Sequence, residues 1–287
     1  MIEVELDIFS GRPNPRWILT PQQEDNLLAR IEGEAVTLGS VDTVEEKLGY
    51  RGFILRPDGA TARTLGRTLP NEFRVRSALF DEQEANTLAE SWLLDTADFS
   101  QASEEVWGYV EDGIAEPVEP KLVVTSKVPS AAAVAAACTI HKTSTTNLVS
   151  WNTQPYQGVN NCYNYASNYR NGTRFAQPGV RGGQVFTALT VSSLRAAALR
   201  DGYATSCVGG THIYVYFCIW PGVDYHWYRR TADSGTATRW CHKPGSTKAT
   251  NKDNSGNWIV SPGSANRGKY TTAGGYLWGP GSSRPVS

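Results

Sequence analysis

Apolar and polar residues alternate from Val4 to Phe9 (VELDIF), the period-two pattern of a half-buried strand. The turn cluster SGRPNP, residues 10–15, interrupts it, and Trp17-Ile18-Leu19 resumes an extended pattern. Thr20-Pro21-Gln22-Gln23 then carries a helix start, with Thr20 as N-cap, Pro21 in the first helical position and Gln23 as capping-box partner. Leu27, Leu28 and Ile31 supply the apolar face of that helix. Gly52-Phe53-Ile54-Leu55 and Phe73-Arg74-Val75-Arg76 read as further strands. Asp81-Glu82-Gln83-Glu84 opens a second helix that runs through Leu88 to Trp92-Leu93-Leu94.

The pattern changes between residues 112 and 140. An acidic, proline-bearing stretch (EDGIAEPVEP) gives way to a small-residue run (SKVPSAAAVAAACTI) that suits a helix or a spacer, and the boundary between two modules is placed near residue 125. Beyond it, residues 162–169 form a short helix and residues 191–200 a longer one ended by Gly202. Residues 212–220 are almost wholly apolar or aromatic, as in a central strand, and Pro221-Gly222 turns the chain. Residues 224–230 and 238–242 are two more strands joined by a hairpin with TADSGTA at its tip. The Gly/Ser/Asn/Pro-rich tail from Lys243 reads as ordered coil. The fold class is therefore α+β, with a small acidic module over 1–125 and a second domain over 126–287.

Charge sharpens this division. Residues 1–120 hold 24 acidic and 10 basic side chains, a balance of −14; residues 121–287 hold 4 and 17, a balance of +13. The acidic side chains are expected on solvated faces. The acidic module is expected to dock on the basic domain, which would also attract other anionic partners. No apolar run is long enough to span a membrane. The opening MIEVELDIFSG is not a secretory signal, so a cytoplasmic location is the expectation, with export by a signal-less route left open. The five cysteines, at 138, 162, 207, 218 and 241, show no CxxC spacing, and reduced thiols are the default for such a chain. No cofactor or metal is expected.

Cys162 stands where a loop (GVNN) turns into a helix, a position that favours a thiolate. Its own N–H and a donor from Gln157, Asn160 or Asn161 would serve a developing oxyanion. His226 and His242 lie on strands joined by a hairpin, and neighbouring strands are about 4.8 Å apart, so their side chains can meet on one face. His226 is then the base and His242 its orienting partner, with Asp224, Asn251 and Asp253 as other possible orienters. The alternative for Cys162 is a buried core thiol.

The phrases NNCYNYASN, WPGVDYHWYRR and WCHKPGSTKATNKDNSG, in this order, resemble the papain-like cysteine peptidases. They are most similar to the Cys-His-His branch containing the NlpC-type bacterial cell-wall peptidases and amidases. The resemblance covers residues 150–275. It implies a helix carrying the cysteine packed on a curled antiparallel sheet, with Cys162 as nucleophile, His226 as general base and His242 as third member. Tyr163 and Tyr225 stand where that branch carries small residues beside its cysteine and histidine.

The expected function is thus a cysteine hydrolase acting through a Cys162 acyl-enzyme on peptide or amide bonds, in cell-wall peptide or as a toxin-like effector. Two other classes compete. A basic RNase-like nuclease would use His226 and His242 with Arg229 and leave Cys162 idle. A non-catalytic carbohydrate- or surface-binding protein would use the 9 Trp and 13 Tyr.

Overall fold

The computed structural model describes residues 1–32, 38–39, 46–64, 70–76, 83–115, 138–141, 147–172, 175–207, 209–232 and 238–287. The helix start at Asp81-Glu82, the module boundary near 125, most of the alanine tract and the hairpin tip at 233–237 lie outside these residues. The chain groups into two compact units. The first comprises Met1–Ile8, Asn14–Glu45 and Tyr50–Glu119; the second comprises Phe9–Pro13, Glu46–Gly49 and Pro120–Ser287. Both mix helices and strands, so the fold is α+β.

In the first unit the elements are β1 (Ile2–Leu6), β2 (Arg16–Ile18), α1 (Pro21–Glu32), β3 (Phe53–Pro57), α2 (Thr61–Thr64), β4 (Phe73–Val75), α3 (Gln83–Asp95) and α4 (Glu104–Ala115). The strands form an antiparallel sheet in the order β2-β1-β3-β4. The capping box at α1 forms as read: Thr20 Oγ1 accepts from the Gln23 N–H at 3.3 Å and the Thr20 N–H donates to Gln23 at 2.8 Å.

The first strand ends at Leu6, because Asp7 turns into a buried ion cluster. Its carboxylate meets Arg51 at 2.6 Å and Arg74 at 2.8 Å, all three side chains being essentially inaccessible. Burial opposes ionisation of Asp7, yet the two guanidinium groups hold its pKa down at about 2. Glu90 is buried too, accepting from the Tyr50 hydroxyl at 2.6 Å. The solvated acidic face expected from composition is thus only part of the picture, since the sheet takes some carboxylates inside to neutralise its own arginines.

The second unit contains β5 (Cys138–Ile140), α5 (Asn147–Trp151), α6 (Tyr156–Val159), α7 (Cys162–Ala166), α8 (Val191–Arg200), β6 (Gly210–Trp220), β7 (Asp224–Ala232), β8 (Thr238–His242) and β9 (Thr272–Pro280). The sheet runs β5-β6-β7-β8, with β9 along the other edge of β6. Strand β5 pairs parallel to β6 and the remaining pairs are antiparallel.

One sheet face packs Ile213, Val215, Phe217, Ile219, Tyr225, Trp227 and Leu277 against Cys162, Tyr163 and Ala166 of α7 and Leu194 and Ala198 of α8. Helix α8 begins at its Thr190 cap and ends before Gly202, whose φ of 90° only glycine adopts without strain.

Two expectations are corrected here. The tail is coil only as far as β9. Its Gly274 and Gly279 obscured a strand, yet both are required: a Cβ would come 2.2 Å from the Phe217 ring at Gly274 and 2.6 Å from Ile213 at Gly279. Nor are all thiols reduced. Cys138 and Cys207 form a disulfide across Cα atoms 6.3 Å apart, whereas Cys162, Cys218 and Cys241 are buried thiols.

Candidate functional site

Asn161 begins α7 as a full capping box. Its Oδ1 accepts from the N–H groups of Tyr163 and Asn164 at 3.0 and 3.1 Å, and Asn164 returns the bond to the Asn161 N–H at 3.1 Å. This holds Cys162 at the first helical position. The buried Lys243 ammonium steadies the preceding loop by donating to the carbonyls of Gln157, Asn160 and Gly245.

Strand β8 pairs with β7 only as far as Tyr228↔His242, leaving residues 224–227 beyond its reach. The Cys162 sulfur sits there, 3.9 Å from the Tyr225 carbonyl and within hydrogen-bond reach of the Trp227 backbone.

His226 and His242 share the other sheet face, diagonally across the β7–β8 ladder, with ring centroids 4.8 Å apart and nearly perpendicular. His242 Nε2 lies 2.8 Å from the Lys252 carbonyl, which can only accept, so Nε2 carries the proton. Burial drives the His242 pKa down to about 4, leaving the ring neutral and its Nδ1 bare. His226 Nε2, 2.7 Å away, must therefore donate to it. The other ring nitrogen of His226, Nδ1, meets the hydroxyl of Ser10. Ser10 also lies close enough to the Cys162 sulfur for its hydroxyl to favour the thiolate, against the larger effect of burial. A hydrogen-bonded line thus runs from Ser10 through His226 and His242 to Lys252, with the Cys162 thiol beside its first member.

The structure brings His226 and His242 together, whereas α7 packs on the opposite sheet face from the one expected, with Cys162 against Tyr225 and Trp227. Ser10, read from the sequence as part of a turn, is the residue that meets His226 and lies beside the thiol. Asn161 is adjacent, with its Nδ2 donating to Gly11 and Ala176 carbonyls at 2.8 and 2.9 Å. Gln157 is buried in α6, its carbonyl bound by Lys243. Asp224 has a different part from orienting a histidine. Its carboxylate accepts from the N–H groups of Ser10 at 2.6 Å, Gly11 at 3.2 Å and Arg12 at 3.1 Å, and from the Tyr270 hydroxyl at 2.7 Å. Burial nonetheless raises its pKa, outweighing these donors. Asp224 therefore fastens the SGR segment to the sheet.

Ser10, Cys162, Asp224 and His226 are all fully buried, and His242 is 1% exposed. Burial, followed by the nearby Asp224 charge, pushes the Cys162 thiol far above its usual range. In this arrangement the site holds a protonated thiol and a neutral His242 ring.

Over 109 residues, 37% of this chain and 70% of the other, the sequence is 40% identical to the protein described as insoluble matrix shell protein 1 of Ruditapes philippinarum. No family model matches. No solved structure matches either.

Proposed function

The chain belongs to the family of insoluble matrix shell protein 1, and from that premise we propose that it is a matrix-associated protein of an oxidising compartment whose second unit is a latent cysteine hydrolase of peptide or amide bonds. The Cys138–Cys207 disulfide supports the compartment, since such bonds persist where thiols are not kept reduced. Among the described residues no helix is long and apolar enough to cross a membrane.

The observation that carries the hydrolase reading is the line Ser10–His226–His242–Lys252 with the Cys162 thiol beside Ser10. With Ser10 moved aside, the thiol proton passes to His226 Nδ1. The resulting imidazolium is stabilised by His242 Nδ1, which the Lys252 carbonyl holds in the accepting tautomer. The thiolate attacks a substrate carbonyl carbon, and His226 returns the proton to the departing amine. Water, deprotonated by His226, then releases the acid and the thiol. A papain-like relationship fits this order of helix cysteine and strand histidines and is part of the proposal. The nuclease alternative is less well supported. It needs two imidazoles acting on one phosphate, whereas His226 Nε2 and both His242 nitrogens are engaged within the line.

A second reading has its own support. Complete burial of the line and the raised thiol pKa suit a non-catalytic matrix protein in which these residues simply tie the fold together. Peptide and amide hydrolysis by the wild-type chain, by Cys162→Ala and by His226→Ala separates the two. Under the hydrolase reading, turnover is lost in both variants while both stay folded. Turnover that survives Cys162→Ala, or is absent from wild type under every condition that makes Cys162 alkylatable, removes it.

A further inference from the structure

Residues Phe9–Pro13 group with the second unit, and their central tripeptide is held one polar group at a time. The successive N–H groups of Ser10, Gly11 and Arg12 converge on Asp224, an arrangement in which a backbone concavity grips an anion. The Gly11 carbonyl receives Asn161 Nδ2 at 2.8 Å and Gln177 Nε2 at 2.9 Å, and the Tyr225 hydroxyl lies 3.0 Å from both this carbonyl and Gln177 Oε1, so its one proton serves one or the other. Two donors fill both lone pairs of this carbonyl oxygen, and a hydroxyl stands at the same point. Convergent donors of this kind are what stabilise charge growing on an oxygen.

Glycine is selected by exclusion, because a Cβ at position 11 would lie 2.4 Å from the Tyr225 ring. The Arg12 guanidinium lies 5.1 Å over the Phe9 ring and donates to the Val223 carbonyl. Ser10 meanwhile fills the space between Cys162 and His226.

We propose that Asn161, Gln177, Asp224 and Tyr225 form a peptide-binding site beside Cys162 that reads a glycine-containing segment. In this chain the site is filled by its own Ser10-Gly11-Arg12, which releases to admit a glycine-bearing peptide from another molecule. Calling that peptide a substrate rests on the hydrolase reading; the binding site does not.

Three measurements on the full chain test this. In the unmodified protein, the amides of residues 10–12 exchange hydrogen before those of β6 and β7, because the segment opens on its own. Iodoacetamide labels Cys162 about tenfold faster or more in Gly11→Ala than in wild type, as read by peptide mass spectrometry. A large excess of synthetic Phe-Ser-Gly-Arg-Pro-Asn-Pro slows that labelling, and the same peptide with alanine for glycine does not. Amides 10–12 exchanging only with the sheet, unchanged labelling in Gly11→Ala, or equal effects of the two peptides would each overturn the proposal. Peptide protection without hydrolysis leaves the binding site standing and removes the hydrolase. Hydrolysis by wild type while amides 10–12 remain protected does the reverse.

Discussion

Asn161 does more within this fold than its type suggests. It caps α7 through Oδ1 and satisfies the Gly11 and Ala176 carbonyls through Nδ2. Losing a cap costs about 0.5–2 kcal/mol and leaving buried carbonyls unpaired adds about 1–3. Asn161→Ala should therefore destabilise the second unit by roughly 2–4 kcal/mol in urea unfolding, and Asn161→Asp, which keeps the cap, by less. His242 sets a pH dependence. Its folded pKa, about 4, lies below the ordinary 6.5 because burial disfavours the charged ring. The unfolded chain therefore binds the proton first. This stability is fully present above pH 6.5 and drains away as pH falls toward 4, a loss of roughly 3 kcal/mol. Unfolding free energies measured across that window should show this slope, and His242→Gln should flatten it; a slope that survives the substitution would refute the assignment. The helix start at Cys162 and the pairing of the two histidines were legible because they depend on near neighbours or on an adjacent strand, whereas the capping part of Asn161 was not read. The segment 10–15 read as a turn, since nothing local distinguishes a solvent-facing SGR from one gripped by Asp224.

At the scale of elements, the histidine hairpin followed from alternation alone. His226 and His242 share a face because side chains on a strand repeat every two residues, and Tyr228↔His242 fixes the register. Strand β9 escaped notice for an equally physical reason. Two adjacent glycines read as coil, yet Gly274 gives the Phe217 ring room and Gly275 occupies a φ of 97°. The pairing shifts register between Phe217 and Cys218, opposite this pair. Gly274→Ala should cost about 1–3 kcal/mol through overpacking. Phe217→Leu combined with Gly274→Ala should recover part of that loss if the ring contact is the cause, which a double-mutant cycle in urea measures directly.

Across the whole molecule, the disulfide links residues 69 positions apart and ties β5, flanked by long stretches of chain, to the loop before β6. Closing a loop of that length stabilises by about 4 kcal/mol in the chain-entropy account. Cys207→Ser should lower the unfolding midpoint accordingly without altering Cys162 alkylation; unchanged stability would show that the bond contributes little to this fold. The sequence by itself determined the α+β class, the strands and helices with clear periodicity, the start of α7 at Cys162 and the shared face of two imidazoles. Each of these follows from residues within a few positions or one hairpin of each other. Only the tertiary structure decided that Ser10 stands between Cys162 and His226, that Asp224 anchors residues 10–12 and that the line is sealed from water. Those facts join groups about 150 to 216 positions apart, brought together when the sheet and α7 enclose them; charge and hydrogen-bond partners across such distances leave no local pattern to read.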